Sequence, residues 1–250
     1  MLLTNGSLHR RRHGLHRPIL AMLLFVCAPN PAWSWPETPA PTLDTSACEA
    51  DSGARLHWLV ERLESRERYA DLWWRGWIGF YGLGVVIQSA SAGVEDDDGK
   101  RADLIVSAVK AVGGVTRLYF SRPVARLGAD PLEGALPDAA ACRARVAQGE
   151  GLLRQAAKES ERRWDWKPHV FNALLNGAGG VIVAKGFDED DGWVSAGVGF
   201  AVGEAMLWSH PWKGRSDLEE YEARFASSAR VPVTWAVVPY GRGLMLQVRF

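Results

Sequence analysis

The sequence predicts a mainly α-helical protein: two glycine-rich helical hairpins, a connecting helix between them and a small C-terminal β-hairpin. Three observations lead there. Residues 72–209 contain two apolar segment pairs, each reversed through an acidic turn, Glu95-Asp96-Asp97-Asp98-Gly99 and Asp188-Glu189-Asp190-Asp191-Gly192. Asp and Gly are residues that turn a chain, because Asp bonds its own backbone and Gly accepts a positive φ. Between the pairs, Cys142, Val146, Gly149 and Leu153 recur at helical spacing, which marks one face of a connecting helix. At the end of the chain, Leu244, Leu246, Val248 and Phe250 alternate with Met245, Gln247 and Arg249, a strand pattern.

The elements follow in order. Arg10-Arg11-Arg12 and Arg17 precede an apolar run from Ile19 to Ala28, followed by Pro29, Pro31, Ala32 and Ser34. A basic head, a short apolar core and small residues describe a secretory signal peptide over residues 1–34. The bulky Val26 before Cys27 fits a lipidation site poorly. Residues 35–45, with Pro36, Pro39 and Pro41, read as a linker. The helical domain covers 46–215. Its first helix begins near Ala54, with Leu56, Leu59, Val60 and Leu63 on one face, and continues through Trp73, Trp77 and Tyr81 to the first acidic turn. The second helix runs from Ala102 to Phe120 and stops before Pro123. Asp138 is the expected N-cap of the third, the fourth starts after Pro168, and the fifth runs from Gly192 to about Trp208. Residues 216–250 form the C-terminal hairpin segment, reversing at Pro239-Tyr240-Gly241-Arg242-Gly243.

Gly243, Leu246, Val248 and Phe250 resemble the terminal assembly signal of outer-membrane β-barrel proteins. The resemblance covers about eight residues. A barrel needs at least eight strands, and the long helical middle leaves no room for them.

Charge excludes one class of partner. The chain carries 29 basic and 29 acidic side chains, so no basic footprint for nucleic acid exists. Without the leader, Cys48 and Cys142 are the remaining cysteines, and an even pair in an exported chain predicts a disulfide.

Whether the hairpins cross a membrane is the main question. The stretch Trp77–Val94 is uncharged, and Ala173–Ala184 is apolar with Gly177, Gly179 and Gly180 for close packing. Spanning hairpins on an exported chain would leave the acidic turns in the cytoplasm and the basic connector outside, the reverse of the usual charge bias. The expectation is therefore a packed helical protein of the periplasm or envelope, with spanning hairpins as the alternative.

The sequence offers no nucleophile elbow, no His-Glu-x-x-His and no phosphate-binding loop. His169, Asn172 and Asn176 share one face of the fourth helix, and Glu204 of the fifth faces them as hairpin partner. His169 with Glu204 is the candidate catalytic pair, with Asp103 and Lys110 joining the polar cluster from the other hairpin. Trp73, Trp74, Trp77 and Tyr81 form a candidate aromatic surface toward a membrane or glycan. The acidic turns lack the spacing of a calcium loop, so no metal or other cofactor is expected. The functional expectation is a non-enzymatic structural or interaction role at a membrane surface or with an envelope protein. An enzyme using His169 and Glu204 is the second reading.

Overall fold

The computed structural model describes residues 43–225 and the backbone of 234–240 and 243–249. The leader and most of the linker lie outside the described residues, as does Phe250. Six α-helices carry the architecture among those residues: α1 (Ala50–Val94), α2 (Asp98–Phe120), α3 (Ala139–Ser160), α4 (Trp166–Gly186), α5 (Asp191–Trp208) and α6 (Gly214–Phe225). The protein is mainly helical. Strands β1 (Thr234–Tyr240) and β2 (Gly243–Arg249) pair antiparallel, with Val237 opposite Leu246.

The start signals act locally. Asp97, Asp138 and Asp165 each accept a hydrogen bond from a backbone N–H in the first turn of α2, α3 and α4. Helix α4 begins at Trp166, two residues before Pro168, because a proline in the first turn removes only an N–H that has no helical partner. Helix α6 occupies the start of the segment assigned to the C-terminal hairpin. Its pattern is short but regular, with Asp217, Tyr221 and Phe225 buried at spacing four.

Helix α1 is 45 residues long, about 68 Å, and serves two environments. Its first half joins α3, α6 and the 3-10 turns Val124–Leu127 and Asp130–Leu132 in a head with an ordinary apolar core. Leu56, Leu59, Leu132, Leu153 and Cys142 are almost wholly buried there. A Cys48–Cys142 disulfide ties the segment just before α1 to α3, with Cα atoms 5.5 Å apart. Buried Asp217 of α6 takes both Arg66 Nε and Nη2, at 2.7 and 2.8 Å, and Arg62 at 3.2 Å. Two cations on one carboxylate compensate its removal from water.

The second half of α1 pairs with α2, and α4 pairs with α5, making the two predicted hairpins. Small residues set the close approaches. A Cβ on Gly84 would lie 3.7 Å from Ala111, and one on Gly114 would strike the Tyr81 ring. In the second hairpin Gly180 meets Ala196 and Gly192, and Gly192 meets Ala184 in return. The hairpins touch through α2, where Val106 and Lys110 lie against Gly179. At the far end, Gly99 of one acidic turn packs on Glu189 of the other.

Candidate functional site: the polar interior of the bundle

The side chains of the bundle are arranged opposite to those of the head. On the first half of α4 large apolar residues point out: Phe171 is 59% exposed and Leu174 67%, whereas Asn172 and Asn176 are 7% and 6%; further along, Val183 is buried. Helix α2 exposes Ile105, Val109 and Val112 and turns Ala102, Ala108 and Ala111 inward. Helix α5 exposes Val194 and Val198 and buries Gly192 and Gly203, while α1 exposes Val86 and Ile87. Helix α1 is long and apolar enough to cross a membrane by length and composition, and its most apolar 18-residue window is only 6% buried.

Inside, polar groups follow one another along the bundle. His169 Nδ1 lies 2.6 Å from Glu204 Oε2, and His169 Nε2 donates to the Arg163 carbonyl at 3.0 Å. Asn172 Nδ2 donates to Glu204 Oε1 and to the Phe200 carbonyl, both at 2.9 Å. Asn176 Nδ2 donates to Asn172 Oδ1 at 2.9 Å. These carboxamides occupy the space where Cβ atoms on Gly203 and Gly199 would sit, so the glycines of α5 and the asparagines of α4 interlock. Lys110 continues the line, its Nζ 3.4 Å from the Gly199 Cβ position on which the Asn176 oxygen falls. One turn further, the Ser107 and Ser195 hydroxyls are 3.2 Å apart.

The predicted cluster is thus largely assembled. His169, Glu204, Asn172 and Asn176 form one network and Lys110 adjoins it. Among the described residues Asp103 makes no hydrogen bond to it, and its charge is close enough to act on Lys110. Asp103 sits two turns nearer the acidic turns, where its Oδ1 is buried without a hydrogen-bond partner, as is Gln88 Oε1.

The geometry limits what His169 and Glu204 can do. Because a carbonyl can only accept, Nε2 carries a hydrogen, and a single proton is left to share between Nδ1 and Oε2. Glu204 Oε1 is occupied by Asn172. Each ring nitrogen and each carboxylate oxygen has a partner within the fold, so the pair ties α4 to α5.

The aromatic expectation needs correction. Trp73 and Trp77 are not surface residues: they are 9% and 4% exposed. Both indole N–H groups donate to Ser209 Oγ, at 3.0 and 3.1 Å, and that hydroxyl donates to the Ala205 carbonyl. An indole can be buried where its one donor finds an acceptor, and the chain just past α5 supplies it. Tyr81 is packed against Gly114. Trp74 keeps a partly open position, donating to the Leu118 carbonyl with Arg126 stacked 3.9 Å over its ring. The exposed aromatics at this end include Tyr69, Tyr119, Phe120, Trp164, Trp166, Trp208 and Trp212.

Sequence reasoning missed Ser209 and His210, which mark the junction of bundle and head. Burial pulls the His210 imidazole down to a pKa of about 4, helped by the nearby cations Arg162, Arg117 and Arg163. Nothing in their spacing announces them, since the partners come from α1, α2 and the turn before α4. No protein-family model, curated protein or solved structure matches the chain.

Proposed function

We propose that this chain is an exported envelope membrane protein whose two hairpins span a bilayer and carry a disulfide-bonded head on the oxidising side. Its role in this reading is structural or interactive and non-enzymatic. The observation that supports it is the exterior of the bundle: large apolar residues stand exposed on four helices at once, around an interior where small and polar residues mix with buried Trp77, Val183, Val202 and Met206. Water would penalise that exterior, because single-chain soluble proteins rarely leave contiguous apolar patches beyond a few hundred Å². Lipid tails favour it.

The dimensions agree. Helices of 18 to 23 residues in α2, α4 and α5 are about 27 to 35 Å long, matching a hydrocarbon layer of about 30 Å. One end of the bundle is ringed by Trp74, Tyr119, Trp164 and Trp208 with Arg122, Arg126 and Arg163 against them, as at a headgroup layer. The other end is the paired acidic turns. Both hairpins return, so α3, α6 and the start of α1 fall on one side. Charge bias runs against this orientation. The Cys48–Cys142 disulfide supports it, because such bonds persist mainly where thiols are oxidised. The C-terminal strand pair follows α6 and in this reading belongs to the head side.

Alkaline carbonate washing of membranes carrying the full chain tests the proposal. Retention in the pellet is the expected result, together with labelling of single cysteines placed in the acidic turns only from the side opposite the head. Complete release into the wash would end it.

A further inference from the structure

A small cleft opens where α1, α2, α5 and the turn before α4 meet the head. Trp73 of α1, Arg117, Leu118 and Ser121 from the end of α2, Arg162 and Arg163 before α4, and Met206, Leu207 and His210 at the end of α5 line it. Three guanidinium groups and an imidazole face it, and among its lining residues there is no carboxylate. No ion pair joins any of the three arginines to an acid among the described residues. The acids nearest in sequence are engaged elsewhere: Glu159 accepts from Val124 N, Glu161 pairs with Arg215, and Asp165 caps α4.

The concentration of positive charge is uncompensated in a second respect. Arg163 Nε is buried and has no hydrogen-bond partner. A buried donor left unpaired costs about 1 to 3 kcal/mol, and more when it is charged. The guanidinium is meanwhile held in place, with its Cζ 5.4 Å from the Trp208 ring centre and 5.9 Å from that of Trp212. Its own carbonyl accepts from His169, which fixes the backbone. One arginine held in place with an orphan donor, beside two more that line the same cleft, fits an anion of several oxygens, since the planar fork of Arg matches phosphate bidentately.

We propose that Arg117, Arg162 and Arg163 bind the phosphate of an anionic phospholipid headgroup in this cleft. The choice of lipid over free phosphate rests on the spanning reading above, which places the cleft at the headgroup layer beside Trp164 and Trp208. Basic pockets between membrane helices take headgroup phosphates there. A bound phosphodiester would satisfy Arg163 Nε and neutralise the charge surrounding His210.

The test uses the full chain, reconstituted in phosphatidylcholine nanodiscs with or without phosphatidylglycerol, and separately titrated with inorganic phosphate in phosphatidylcholine alone. His210 is the reporter. Neutralising its neighbouring cations raises its NMR titration midpoint, by about one pH unit or more. Native mass spectrometry should show phosphatidylglycerol retained at least roughly tenfold over phosphatidylcholine, one 1.4 kcal/mol step. The double variant Arg162→Gln, Arg163→Gln should lose that preference while keeping the wild-type circular dichroism and disulfide.

A midpoint moved by inorganic phosphate but not by phosphatidylglycerol overturns the lipid assignment and leaves a free-phosphate site. Equal retention of both lipids with an unmoved midpoint in every arm overturns the site altogether. Carbonate release of the chain would refute the spanning reading separately, because the phosphate arm still reports on the arginines.

Discussion

Substituting Val109 by arginine separates the two environments that the bundle exterior admits. Val109 stands at the middle of α2, eleven residues from either end, and is 66% exposed. Two-thirds exposed, it gives up little packing when it changes. On a water-facing helix the substitution is nearly neutral, within about 0.5 kcal/mol, and arginine is the better helix former. At the centre of a spanning helix it costs about 2.5 to 3.5 kcal/mol on insertion scales, a factor of roughly 60 to 300 in the inserted population. Leu174→Arg on the other hairpin, 67% exposed, should add a comparable and independent cost. Ala147→Arg on the exposed side of α3 is the control in the head. The assay is the carbonate-resistant fraction of each variant at matched expression. The expected order is wild type equal to Ala147→Arg, then Val109→Arg, then the double variant. Equal resistance for all four would refute the reasoning, because an exterior indifferent to charge is not in lipid.

Three further outcomes are expected. Replacing Cys48 and Cys142 with serine removes a cross-link across 94 residues and should destabilise the head by about 4 to 5 kcal/mol on the chain-entropy model, read from denaturant melts with and without reductant. Gly203→Ala drives a methyl into the Asn172 carboxamide and frees Glu204 Oε1 and the Phe200 carbonyl, for a loss of about 2 to 4 kcal/mol, whereas Gly197→Ala, with open space around it, should be neutral or stabilising in a thermal melt. The pH dependence of stability carries a signature of His210. Its folded pKa, about 4, is below the unfolded 6.5, so its contribution is intact above about pH 6.5 and is lost as pH falls toward 4, by at most about 3 kcal/mol; His210→Gln should flatten that limb of a stability-versus-pH profile.

The hairpins, their acidic turns, the capping Asp138 and the Cys48–Cys142 pair were legible because each is a local signal or a short count. So was the face shared by His169, Asn172 and Asn176, which follows from helical period alone. What the sequence withheld was direction. Apolar and small residues alternate around α4 and α5 in a pattern that gives the same period whichever face is turned inward. Only the interlock of Gly199 and Gly203 with the asparagines decides it. Helix α6 was obscured by its brevity and by the strand signal after it. The arginine cleft was illegible for a different reason: Arg117, Arg162 and Arg163 meet only after the two hairpins dock, and a charge count that sums to zero conceals a local excess.

The unbroken course of α1 has a mechanical consequence. A continuous hydrogen-bond ladder connects the head, starting at Ala50 two residues after the disulfide, to the acidic turn at Val94. The glycines at 76, 79, 82 and 84 do not interrupt it. An unbroken helix is stiff over several turns, so it can act as a lever with the tryptophan-lined junction as its fulcrum. A force that tilts the head on one side displaces the acidic turn on the other in the opposite sense. If the hairpins span a bilayer as proposed, this arm joins the two sides, and a partner gripping either end would feel the other.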